Sequence, residues 1–173
     1  MRSYPSFFST GFALLITAST SLHADTELIT NGAFDSDKAP WVMDALGGAK
    51  ATFTVDRDTD GKASAHINVA TADPVAYHVQ LFQSDLDLKA GQTYHFSFRA
   101  KASQNVTIGL NMMAAHAPWS NLWKQDVSLT SDWQTYAFDV TPSASAPNAR
   151  VTFTRLASQA GDYWFDSVSV TTK

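Results

Sequence analysis

Asp56, Asp58 and Asp60, at alternate positions ahead of Gly61, form the densest run of chemically competent side chains in the 173 residues. Their spacing is that of the start of a D-x-D-x-D-G loop, whose carboxylates converge on one hard cation such as Ca2+. The twelfth position of such a loop calls for a bidentate glutamate and holds Ile67 here, so the alternative is a solvated acidic hairpin turn. Catalytic chemistry has less to work with. There is no cysteine, and no G-x-S-x-G elbow, H-E-x-x-H pair or phosphate loop. A glycosidase needs two carboxyl groups flanking the scissile bond, yet the acids cluster in turns, and Glu27 is the only glutamate. His78, His95, Tyr77 and Arg99 make a lyase-like set conceivable, but histidines scattered over strands are more often surface or core residues than bases. The other conspicuous segment is Ala117-Pro-Trp119-Ser-Asn-Leu-Trp123. Its proline and Ser-Asn pair make it a poor continuous core strand, and rigid aromatic rings on a loop suit recognition. The residues therefore point to binding and not to catalysis.

What must position these groups is a set of short strands. Tyr94, Phe96, Phe98 and Ala100 alternate with Thr93, His95, Ser97 and Arg99; Val106, Ile108, Leu110 and Met112 alternate with Thr107, Gly109, Asn111 and Met113. The same period predicts strands at 49–55, 64–69, 77–83, 127–129, 134–140, 150–156 and 163–170. Turn signals separate them, among them Gly47-Gly48, Asp60-Gly61, Asp73-Pro74, Ala90-Gly91 and Ala160-Gly161-Asp162. Nothing predicts a long helix. Many evenly spaced strands predict an all-β fold, a β-sandwich of the jelly-roll kind.

The first 24 residues read as an export signal: Arg2 in a basic n-region, an apolar stretch at 11–18, and Leu22-His23-Ala24 as the peptidase site. Residues 25–173 form one expected domain, secreted to the periplasm or the exterior. It has no disulfides and is expected to be a monomer. Without Arg2 it carries 11 basic and 16 acidic residues, a net charge of −5. Such a surface has no attraction for nucleic acid or anionic lipid, and a neutral partner fits it better.

Several segments, in order, resemble one family. They are Asn31-Gly-Ala-Phe-Asp35 with Trp41, His78-Val-Gln-Leu-Phe-Gln83, Leu88-Lys-Ala-Gly-Gln-Thr-Tyr-His-Phe-Ser-Phe-Arg-Ala-Lys-Ala102, Leu129-Thr-Ser-Asp-Trp-Gln-Thr-Tyr136, and Trp164-Phe-Asp166 with Val168 and Val170. Over residues 27–171 the pattern is similar to the secreted carbohydrate-binding modules of the family 4, 9 and 22 group, with a galactose-binding-domain-like sandwich. That resemblance implies a non-catalytic module for neutral β-glycans such as glucan, xylan or mannan, working alongside glycan-active enzymes secreted with it. The alternative is a secreted sandwich for protein contact or envelope assembly. A small glycoside hydrolase or polysaccharide lyase domain is a third, minor reading.

A sugar site needs flat aromatic faces for pyranose C–H groups and planar polar groups for the hydroxyls. Trp119 is the first candidate platform, with Trp123 second; Trp41 is divided between cleft and core, and Tyr77 belongs at a cleft rim. Trp133 and Trp164 lie within strand patterns and are assigned to packing. For the polar floor the candidates are His78 and Gln80 on one strand face, Asn111 on another, and Arg150 and Thr154 on a third. Gly109 is expected to leave room for a ring to approach. The resemblance also implies a structural calcium ion held by the backbone carbonyls of Ala33 and Gly61 and the carboxylate of Asp166. Asp35 and Asp60 would be extra ligands, and the ion would tie the chain ends together.

Overall fold

A computed structural model describes residues 25–173, so the expected export signal lies outside the described residues. Ten strands fold into a sandwich: β1 (Val42–Ala45), β2 (Lys50–Arg57), β3 (Ala63–Thr71), β4 (Val79–Leu88), β5 (Tyr94–Ala102), β6 (Val106–Ala114), β7 (Asn121–Leu129), β8 (Gln134–Val140), β9 (Ala146–Thr154) and β10 (Gly161–Thr172). The only helical element among the described residues is a single 3-10 turn, Leu156–Ser158. One sheet has the order β1-β4-β9-β6-β7 and the other β2-β3-β10-β5-β8, every pairing antiparallel. The expected all-β sandwich is thus the fold found.

Alternation explains why each strand sits as it does. In β5, Tyr94, Phe96, Phe98 and Ala100 are buried while His95, Ser97, Arg99 and Lys101 are half-exposed on the other face. Central strand β9 is buried on both sides: Val151 and Phe153 enter the core, and Arg150, Thr152 and Thr154 lie beneath groups on the opposite surface. The Phe153 ring contacts those of Trp41, Phe96, Phe98 and Phe165 at centroid distances of 4.4–6.3 Å. An aromatic ring at such a centre is worth about 3–5 kcal/mol relative to alanine.

Of the differences from the sequence expectation, three bear on the outer face of this first sheet. Strand β1 was not foreseen, because its four residues directly follow a loop and are too few to show a period. Asn121 to Trp123, expected in a loop, open β7 by pairing with the end of β6 through a bulge. Tyr77 and His78 precede β4 in a turn closed by the bond from the His78 amide to the Val75 carbonyl (3.0 Å).

The opening segment is a structural clasp. The Asn31 side chain donates to the carbonyls of Asp37 and Ala39 (2.7 and 2.8 Å), and the Trp41 indole donates to the carbonyl of Asn31 (3.1 Å). Gly32 is obligatory, since a Cβ there would lie 1.8 Å from the Val168 carbonyl oxygen. Glu27 closes the other end by accepting from the amides of Ile29 and Val170 (2.7 and 2.9 Å).

Candidate functional site

The outer face of the first sheet carries a groove of about 620 Å3, within the ~300–1,000 Å3 range of small-molecule sites. The antiparallel register explains its floor. Gln80 lies across from Asp44; Asn111 from Thr152 and Lys124; Met113 from Arg150 and Asn121. Residues two apart on each strand project to the same side, so Gln80, Asn111, Met113, Arg150 and Thr154 converge on this face. Tyr77 and Leu46 rise at one end, on the turns leading into β4 and out of β1. Trp119 rises at the other, on the turn between β6 and β7.

Arg150 organises the floor. Its guanidinium lies between two rings, 4.5 Å from the Phe82 centroid and 5.1 Å from that of Trp119. Its Nη2 donates to Gln80 Oε1 (3.3 Å), and the Gln80 amide donates in turn to Asp44 Oδ2 (3.3 Å). Burial pushes the Arg150 pKa below its usual value, while the negative charge of Asp44 works in the opposite direction. Arg150 supports the Trp119 ring, which remains 49% exposed. Tyr77 is 58% exposed. Two open rings therefore flank a groove lined by three amides, a guanidinium, a carboxylate and a hydroxyl, groups that stack on and hydrogen-bond a sugar.

The Trp119 turn is held by its backbone. The Trp119 amide donates to His116 O (2.8 Å), Ala114 N to Ser120 O (2.9 Å) and Ala115 N to Asn148 O (3.1 Å). Trp119 has φ of +59°, a left-handed conformation costly for a bulky residue and typical of positions where function fixes the backbone. At the opposite rim, Asp73 receives the Val75 and Gly48 amides (2.9 and 3.2 Å), and its Oδ1 is 2.8 Å from His78 Nδ1. The Val75 amide, followed by His78, holds the Asp73 carboxyl below the usual carboxylate range.

Of the predicted ligand residues, the structure brings Trp119, Tyr77, Gln80, Asn111, Arg150 and Thr154 into this one groove. Thr154 donates to the Ala76 carbonyl and so fixes the Tyr77 turn. Three others lie elsewhere. Trp123 pairs with inward-facing Met112 and packs against Phe96 and Phe138 at 6.2 and 5.7 Å, on the same strand face as buried Val127 and Leu129. Trp41 is 4% exposed, between Phe34 and Phe153. His78, outside β4, packs beneath Gly47 and edge-on to Tyr77, supporting the rim without lining the groove. The space beside Gly109 is filled by Thr154 and the Arg155 side chain. Residues that sequence reasoning missed are Asp44, Leu46, Met113 and Asn121. Met113 was legible as the next outward position after Asn111, and Asn121 lay inside the tryptophan segment; Asp44 needed β1, which gave no signal.

Side-chain cations engage part of the donor set expected for calcium. The Arg57 guanidinium donates to the carbonyls of Gly61 (3.2 Å) and Asp35 (2.9 Å), and Arg99 pairs with Asp166 (3.1 Å). Asp58 caps its own turn through the amides of Asp60 and Lys62 (2.9 and 2.8 Å).

A family model described as a carbohydrate binding domain, of families 4 and 9, matches residues 26–158. Among solved structures, a family 4 carbohydrate-binding module is 30% identical, with 84% of this chain and 99% of that one covered and a TM-score of 0.74. The N-terminal cellulose-binding domain of Cellulomonas fimi β-1,4-glucanase C shares the fold at 21% identity, covering 84% of this chain and 96% of that one (TM-score 0.61). So does the CBM22-1 xylan-binding domain of Paenibacillus barcinonensis Xyn10C, at 14% identity, 86% and 96% coverage, and a TM-score of 0.60. A search of the curated proteins finds no match. The family model spans most of the chain and the family 4 module is matched over nearly its whole length, so this chain belongs to the family 4/9 carbohydrate-binding modules, which bind sugars and are not enzymes.

Proposed function

We propose that the groove between Tyr77 and Trp119 binds a neutral β-glycan chain of the glucan, xylan or mannan type. The observation that carries this reading is the exposed Trp119 indole braced from behind by Arg150, beside a floor of Gln80 and Asn111. Each ring offers a sugar face a platform, and the floor amides supply both donors and acceptors for hydroxyl groups. The names of similar solved domains, cellulose-binding and xylan-binding, support the same ligand class. The open groove favours this reading over a protein-contact sandwich, for which loops filling the cleft would be expected. The accompanying proposals are that the protein is exported with cleavage after Ala24, acts as a monomer, and serves enzymes secreted alongside it.

Electrophoresis of the chain through gels containing β-glucan, xylan or mannan tests the reading. Retardation by at least one neutral polysaccharide is expected. Unaltered mobility in all three rejects it.

A further inference from the structure

A second depression lies on the opposite face of the sandwich. The outer surface of β3, β10 and β5 carries a depression of about 290 Å3, near the lower end of small-molecule sites. Register places Trp164 between His66 on β3 and Lys101 on β5, and the next row pairs Asp166 with Arg99. Trp133, in the turn before β8, closes the side. The two tryptophans are half-buried, each with a cation over its ring. Lys101 Nζ lies 4.7 Å from the Trp164 centroid and 5.4 Å from that of Trp133, and the Arg99 guanidinium is 5.1 Å from Trp133.

The charges do not balance here. Arg57, Lys62, Arg99 and Lys101 line the depression with Asp56, Asp58 and Asp166, a local charge of +1 on a domain carrying −5. Every one of these acids is already engaged. Asp56 accepts from the Trp164 indole (3.2 Å) and pairs with His66 (2.9 Å); Asp58 caps its turn; Asp166 holds Arg99. Arg57 is spent on two neutral carbonyls. Among the described residues no carboxylate lies within 4.0 Å of the Lys101 or Lys62 ammonium. An ammonium lying over two indoles at the edge of an open depression, with no carboxylate partner, suits an incoming anion. The surrounding indole surface calls for a ring bearing it.

We propose that this face is a second saccharide site, selective for an acidic sugar residue whose carboxylate is bound by Lys101 and whose ring packs against Trp133. It is independent of the neutral groove, which lies on the other sheet. The test is an NMR titration of the chain with trigalacturonate, following tryptophan indole N–H resonances, with xylohexaose, acetate and phosphate as separate arms. Trigalacturonate is expected to shift Trp133 and Trp164, to bind more weakly as NaCl rises, and to lose about tenfold in affinity in Lys101→Gln, the loss expected for one charge-assisted hydrogen bond. Trp119→Ala should leave that binding unchanged. Three results overturn the proposal: no shift at Trp133 and Trp164, equal binding by Lys101→Gln, or loss of binding in Trp119→Ala. Acetate or phosphate binding as tightly as trigalacturonate overturns its sugar component. Failure of the neutral groove would appear separately, in the xylohexaose arm.

Discussion

At the residue scale the site depends on one arginine doing three things. Arg150 fills the space under Trp119, reaches Gln80 through a hydrogen bond, and presents its other face to Phe82. A planar guanidinium can lie between two rings in a way a compact ammonium cannot. Arg150→Lys is therefore expected to weaken glycan binding by about tenfold, as one fixed platform and one ordered amide are lost. Circular dichroism should show the fold intact, and a variant binding as tightly as the parent would contradict the role. The same scale explains why Trp119 and Trp123 part company. Both were legible as candidates from a segment rich in turn formers. Trp123 shares the inward parity of Val127 and Leu129 once β7 runs back to Asn121, whereas Trp119 lies in the turn before the strand, where alternation assigns no face.

At the scale of elements, the N-terminal turn and the β2–β3 turn are joined by Arg57, which spans the carbonyls of Asp35 and Gly61. A side-chain cation thus engages the Gly61 carbonyl, one of the donors the resemblance assigns to a metal ion. Adding EDTA or calcium is expected to leave the melting temperature unchanged, while Arg57→Ala lowers it by about 2–4 °C, corresponding to roughly 1 kcal/mol in a domain of this size. A fall of several degrees with chelator would reinstate the ion. The β3–β10 pairing has its own polar clamp. Asp162 accepts from Asn68 and contacts His66, both at 2.8 Å. The Asn68 bond, followed by His66, holds its carboxyl below the ordinary 3.8. A depressed folded-state pKa means stabilisation that is fully present above 3.8 and is lost as pH falls through the lower folded value. Melting curves taken downward from pH 5 should therefore show a steeper decline for the parent than for Asp162→Asn. Identical slopes would remove Asp162 from the acid transition.

At the scale of the molecule, two sheets present two faces with different chemistry. The β1-β4-β9-β6-β7 face carries open aromatic rings and neutral amides. The β2-β3-β10-β5-β8 face carries indoles overlaid by cations. Much of the sandwich was legible, because period-two burial along strands such as β5 is imposed by the core and recorded residue by residue. The groove was partly legible: Gln80, Asn111 and Arg150 were outward positions on recognisable strands. Asp44 was not, since β1 is too short to show alternation. Trp133 and Trp164 were assigned to packing because a strand pattern says which face a ring occupies and not whether that face is covered. The clasp at Asn31 to Trp41 and the Val168 approach that requires Gly32 explain why the most recognisable residues at the chain ends lie outside the groove.

Neutral glycan is proposed to bind at Trp119. Isothermal titration of a neutral oligosaccharide such as xylohexaose or cellohexaose, whichever the parent chain binds, into Trp119→Ala and Trp123→Phe tests it most directly. Trp119→Ala is expected to lose about 2 kcal/mol, roughly thirtyfold in affinity, as for a central aromatic anchor, while Trp123→Phe binds as the parent does. Unchanged binding by Trp119→Ala would mean that the glycan is held elsewhere.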